Sequence, residues 1–209
     1  MSSASAVDGA LRHPLAWPVS LVLLALPALA LTAGAMLDRL GANPAEYLIR
    51  ATGDWTLRLL CLSLALTPLR VSLGWHALAR LRRRVGVAVY VYASLHLASY
   101  AAFDMGFDGG EVVRDIVKRP FILMGFLGWL WLTPMALTSF NRAVRLLGAR
   151  RWNLLHRLVY GVAVVAVIHF AWMRAGKNDF AEPVLYGTLL ALLLAWRAWR
   201  AWSGGTARR

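Results

Sequence analysis

Apolar residues gather into six long runs, roughly Leu15 to Leu37, Asp54 to Leu73, Val85 to Phe103, Phe121 to Phe140, Asn153 to Met173 and Val184 to Trp202. Each is near the roughly 20 residues that cross a hydrocarbon core as a helix, and none is long enough to cross twice. The pattern predicts an all-α integral membrane protein, with six transmembrane helices in a single domain spanning residues 1–209. The first run follows Arg12 and contains small-residue sites such as Ala28-Leu29-Ala30, as a cleaved leader would. It is longer than a usual signal core, so it is kept as the first helix. Pro18 and Pro27 predict a bend there, with neighbouring helices satisfying the freed carbonyls.

Composition agrees: 59% of residues are hydrophobic and 16% charged, too little polar surface for a soluble domain of this size. A net charge of +13 would suit nucleic acid, but the cations sit in short clusters between apolar runs, as membrane topology requires. With the N-terminus inside, the inner side holds fourteen cations: Arg12, Arg70, Arg80, Arg82, Arg83, Arg84, Arg142, Arg145, Arg150, Arg151, Arg197, Arg200, Arg208 and Arg209. The outer side holds seven: Arg39, Arg50, Arg114, Lys118, Arg119, Arg174 and Lys177. That bias places both termini inside. In the longest connection, Asp104 to Arg119, the apolar Val112, Val113, Ile116 and Val117 are spaced as on a short surface helix. The tail SGGTARR reads as a solvated end, and no internal repeat is evident. Six tryptophans near the helix ends form an interfacial belt; Trp129 and Trp131 lie deeper, against a planar ligand or as packing.

Chemistry enters with the histidines. His13 and His76 lie outside the spans and read as surface groups, whereas His96, His156 and His169 lie in two apolar runs. Ionisable side chains at membrane depth usually face a bundle interior, a cavity or a bound group. On the third and fifth helices, both running outward, His96 and His169 fall at matching depth in the outer half. His156 lies near the inner end, roughly 20 Å from His169 along the helix at 1.5 Å per residue. Two imidazoles at one depth on different helices are what axial ligation of haem iron needs. Zinc or copper would want more N, S or carboxylate ligands than one Cys and no central carboxylate supply. Cys61 reads as a buried structural thiol. Arg58 pairs with Asp54 four residues earlier or meets a haem propionate. Arg82 and Arg83, at the inner end of the His96 helix, retain the loop inside or face a second cofactor near His156.

Several segments then resemble, in order and spacing, the MsrQ family of haem-binding membrane subunits, and more distantly the ferric reductase membrane domain. They are Gly41-Ala42-Asn43-Pro44, Thr67-Pro68-Leu69-Arg70, Arg83-Arg84-Val85-Gly86 followed by Leu95-His96 and Tyr100, Arg119-Pro120, Leu137-Thr138-Ser139, and Trp152 to Tyr160 ending at His169. The resemblance implies a cytochrome b-like bundle in the bacterial inner membrane, with haem b on His96 and His169 and a second, inner haem site associated with His156. It implies an electron-transfer subunit without substrate chemistry of its own, forming a heterodimer with a periplasmic molybdopterin reductase that repairs oxidised methionine. The donor would be quinol or a cytoplasmic flavin reductase, and FMN is a further implied cofactor. Hydride chemistry would belong to a partner, since no G-x-G-x-x-G follows a strand. Three rivals stand beside this reading: a stand-alone ferric or quinone reductase, a proton or ion channel using the histidines as a relay, and an assembly factor or anchor.

Overall fold

A computed structural model describes residues 3–206, and side chains within 6–203. The chain runs α1 (Ser3–Arg12), α2 (Ala16–Met36), α3 (Pro44–Leu73), a 3-10 turn (His76–Leu78), α4 (Ala79–Phe103), α5 (Gly109–Lys118), α6 (Pro120–Leu137), α7 (Asn141–Leu155), α8 (Leu158–Ala175) and α9 (Ala181–Thr206). Among the described residues, five stretches are long and apolar enough to cross a membrane: Ala16–Met36, Pro44–Leu73, His76–Phe103, Pro120–Leu137 and Leu158–Ala175. The last run of the sequence, α9, is not among them. Instead of ending in a loose tail, this helix continues through Ser203 to Thr206; Arg208 and Arg209 lie outside the described residues.

Local chemistry sets the ends. Asn43 caps α3 by accepting from the Glu46 amide at 3.2 Å while Glu46 accepts from its side chain, and Pro44 fills the first position, where no N–H is needed. The helix therefore begins ten residues before the predicted Asp54, with Arg50 paired to Glu46 one turn away. It stops at Gly74, whose φ of 70° reverses the chain toward α4.

Two antiparallel hairpins, α3 with α4 and α6 with α8, make up the bundle, and α9 packs on both α3 and α8. The core draws Leu60 and Leu64 from α3, Val89 and Tyr92 from α4, Val162 from α8 and Leu190 from α9. Cys61 is buried within it, as expected. By contrast α2 buries only Leu31 and exposes a coat of leucine and valine, the surface a lipid-facing helix presents. It is tied down at its proline: beside Pro27, the Tyr92 hydroxyl accepts from the Ala28 amide at 3.0 Å and donates to the Leu24 carbonyl at 2.8 Å. A side chain thus occupies the rung that the proline loosens.

The connection after α4 forms the predicted surface helix α5, capped by Asp108. It buries Ile116 and Asp115 and exposes Val113 and Val117. Asp115 accepts from the Tyr100 hydroxyl and pairs with Arg119, each at 2.7 Å, which fixes α5 to the end of α4.

Candidate functional site

His96 and His169 stand near the ends of α4 and α8, and their ring centroids are 6.1 Å apart at an interplanar angle of 73°. Each ring is held by the other helix of its own hairpin. His96 Nδ1 lies 2.8 Å from the Ile49 carbonyl of α3, and His169 Nδ1 lies 2.6 Å from the Phe121 carbonyl of α6. A carbonyl can only accept, so both Nδ1 atoms carry the proton and both Nε2 atoms keep a free lone pair. Among the described residues neither Nε2 makes a hydrogen bond.

Both rings line a cavity of about 540 Å³ between the hairpins. Its walls are mainly apolar, with Leu57, Leu60, Val89, Phe170 and the face of Trp129 along its depth. The Trp129 Nε1 donates to the Ser94 hydroxyl at 3.0 Å, so the indole is fixed as wall. Charged residues, among them Arg50, Asp54, Asp104 and Arg119, line the cavity as well. Two preset imidazole lone pairs in one large apolar cavity are equipped to ligate a metal centre from two helices. No group of three or more His, Cys, Asp or Glu side chains that could hold a metal ion converges among the described residues, so the two imidazoles stand as a pair.

The third histidine lies apart. His156 is not in the α8 helix, as the sequence reading placed it, but caps α7 in the two-residue turn before α8. Its ring stacks on Trp152 at 3.8 Å, and Trp152 is itself anchored through Nε1 to the Thr138 carbonyl at 2.9 Å. His156 Nδ1 lies 3.0 Å from the Trp152 carbonyl, while Nε2 is buried without a partner. It faces a second cavity of about 230 Å³ shared with Arg82, Arg83, Tyr160 and Arg197, and no carboxylate lines it. The structure thus brings Arg82, Arg83 and His156 to one cavity and His96 and His169 to another.

The family model described as a ferric reductase like transmembrane component matches residues 52–167. The protein-methionine-sulfoxide reductase heme-binding subunit MsrQ of Polaromonas naphthalenivorans is 56% identical over 187 residues, 90% of this chain and 85% of its own. The MsrQ proteins of Herminiimonas arsenicoxydans and Ralstonia nicotianae are 50% and 46% identical, over 77% and 87% of this chain and 73% and 82% of theirs. The chain belongs to the MsrQ family. No solved structure gives a significant match.

Within this MsrQ chain several groups at the two cavities had no sequence signal. The Ile49 and Phe121 carbonyls are backbone and leave none. Gly53 and Gly125, which pack on His96 and His169, do leave one, as glycines inside helical runs mark close approach. Arg197 donates to the Leu193 carbonyl at 3.0 Å and to the Leu64 carbonyl, holding its guanidinium beside the second cavity. Arg58 makes no ion pair with Asp54 among the described residues. It donates to the Tyr186 hydroxyl at 3.2 Å and lies over the Trp55 ring at 5.1 Å.

Proposed function

We propose that this protein is the membrane electron-transfer subunit of a methionine sulfoxide reductase system, holding haem b between His96 and His169. The observation that carries it is the pair of rings 6.1 Å apart, each with Nδ1 spent on a carbonyl, on the wall of a cavity of about 540 Å³. These residues fit a planar, largely apolar group with a central metal: two lone pairs for the metal, aliphatic walls for the plane, and Arg50 and Arg119 for acidic edge groups. Bound haem would supply reversible one-electron chemistry. The chain's own residues orient the ligands and exclude water through the apolar walls.

The rest of the reading follows the family and the charge pattern. The chain sits in the bacterial inner membrane with α9 as a sixth span and both termini inside. Electrons enter on the inner side from quinol or a cytoplasmic flavin reductase and leave to a periplasmic molybdopterin reductase in a heterodimer. The cavity of His156, Arg82 and Arg83 is where a second group, haem, quinone or FMN, would be held. The geometry favours electron transfer over a histidine relay, because the protons on His96 and His169 Nδ1 end on backbone carbonyls.

The test is a reduced-minus-oxidised visible spectrum with haem counted per chain in detergent-purified protein. His96→Ala and His169→Ala are expected to insert and to lose the b-type absorbance of this site. Full absorbance in either variant would overturn the ligand assignment.

A further inference from the structure

The surroundings of the two histidines are built to one plan. On α3 the carbonyl that holds His96 belongs to Ile49, and one turn later comes Gly53. On α6 the carbonyl that holds His169 belongs to Phe121, and one turn later comes Gly125. Carbonyl and histidine are 47 residues apart in the first case and 48 in the second. In a helix the carbonyl of residue i points toward residue i+4, whose side chain normally screens it from outside donors. A glycine at i+4 removes the screen, and the second lone pair of the carbonyl is then open to a ring from the neighbouring helix. A Cβ on Gly53 would lie 3.1 Å from His96 Cε1 and 3.2 Å from Nδ1. On Gly125 it would lie 2.9 Å from both Cε1 and Nδ1 of His169.

We infer that Gly53 and Gly125 are paired positioning residues, each uncovering a helix carbonyl that fixes the tautomer and raises the electron donation of one axial histidine. The inference rests on the haem-ligand reading and names what tunes that site. An Nδ1–H donating to a carbonyl makes the imidazole a more basic ligand, which favours the oxidised metal and lowers its potential. Pushing the ring away from the carbonyl removes that effect.

The experiment compares the full chain with Gly53→Ala, Gly125→Ala and Gly176→Ala. Gly176 closes α8 with open space around its Cα and serves as the control. Three quantities are read on the haem-loaded protein: the midpoint potential, the ferric low-spin EPR signal, and the rate of haem transfer to an apoglobin scavenger. Gly53→Ala and Gly125→Ala are expected to raise the potential, move the EPR signal and speed haem loss by about 10- to 100-fold, with Gly125→Ala the larger. Gly176→Ala is expected to match the unmodified chain. If Gly125→Ala fails to insert, Gly53→Ala decides. The unmodified protein offers an independent reading: pulsed EPR should find an Nδ1 proton on each axial ring that exchanges slowly in D2O. Wild-type potential, EPR signal and haem loss in both glycine variants, or freely exchanging ring protons, would overturn the positioning role while leaving the ligands in place. Retention of haem by His96→Ala and His169→Ala would overturn both.

Discussion

His156 and His169 come from one short stretch of sequence and meet opposite surroundings. His169 is answered by His96 from another helix, both rings latched to carbonyls on the wall of a large apolar cavity. His156 stands alone, stacked on Trp152 beside a smaller cavity lined by arginines, with its Nε2 buried. The first arrangement supplies two matched lone pairs and apolar walls. The second sets several positive charges beside a lone imidazole, which suits a group carrying negative charge or carbonyl oxygens. A histidine at membrane depth is therefore not one kind of signal; what its neighbours present decides between ligand and contact.

The sharpest break of this comparison is the loss of b-type absorbance from the paired site in His96→Ala and His169→Ala. His156→Ala is expected to leave the potential and absorbance of that site intact in a redox titration. Collapse of all absorbance there would instead merge the two cavities into one functional unit. Arg82→Gln and Arg83→Gln should slow reduction by quinol or flavin reductase while the dithionite-reduced spectrum stays unchanged; an equal loss of both would remove the arginines from the entry side. Smaller effects sharpen the contrast between packing and chemistry. Tyr92→Phe leaves the Ala28 amide and Leu24 carbonyl of α2 without their bridging hydroxyl, at a cost of about 1–3 kcal/mol seen in thermal unfolding in detergent, with the haem spectrum unaltered. Tyr100→Phe is expected to cost about 1 kcal/mol, read as faster amide exchange confined to α5.

Hydrophobic run lengths revealed most helices, and histidine depth revealed which two rings would meet. What escaped has physical reasons. The first turns of α3 are polar and carry Glu46 and Arg50, so they resemble a connection, although their charges pair along the helix and allow it to continue. The helix α7 is rich in arginine and broken at Gly148, where φ is 73°, so its pattern is neither a clean span nor a loop. His156 sits with Arg157 in the turn before α8, although apolar residues lie on both sides of the pair. The repeated carbonyl and glycine arrangement escaped because it matches positions and backbone atoms, while the surrounding residues, Ile49 to Gly53 and Phe121 to Gly125, share little but the glycine.

Because each imidazole is oriented by a partner in its own hairpin, each half of the paired site can be completed within one stretch of nascent chain. The first is finished once α4 has been made, the second once α8 has, and the later α9 touches both hairpins through α3 and α8. The paired site is thus a seam between two hairpins, each of which orients its own imidazole. A nascent chain arrested after α4 should already carry its ring in the final tautomer and still hold nothing.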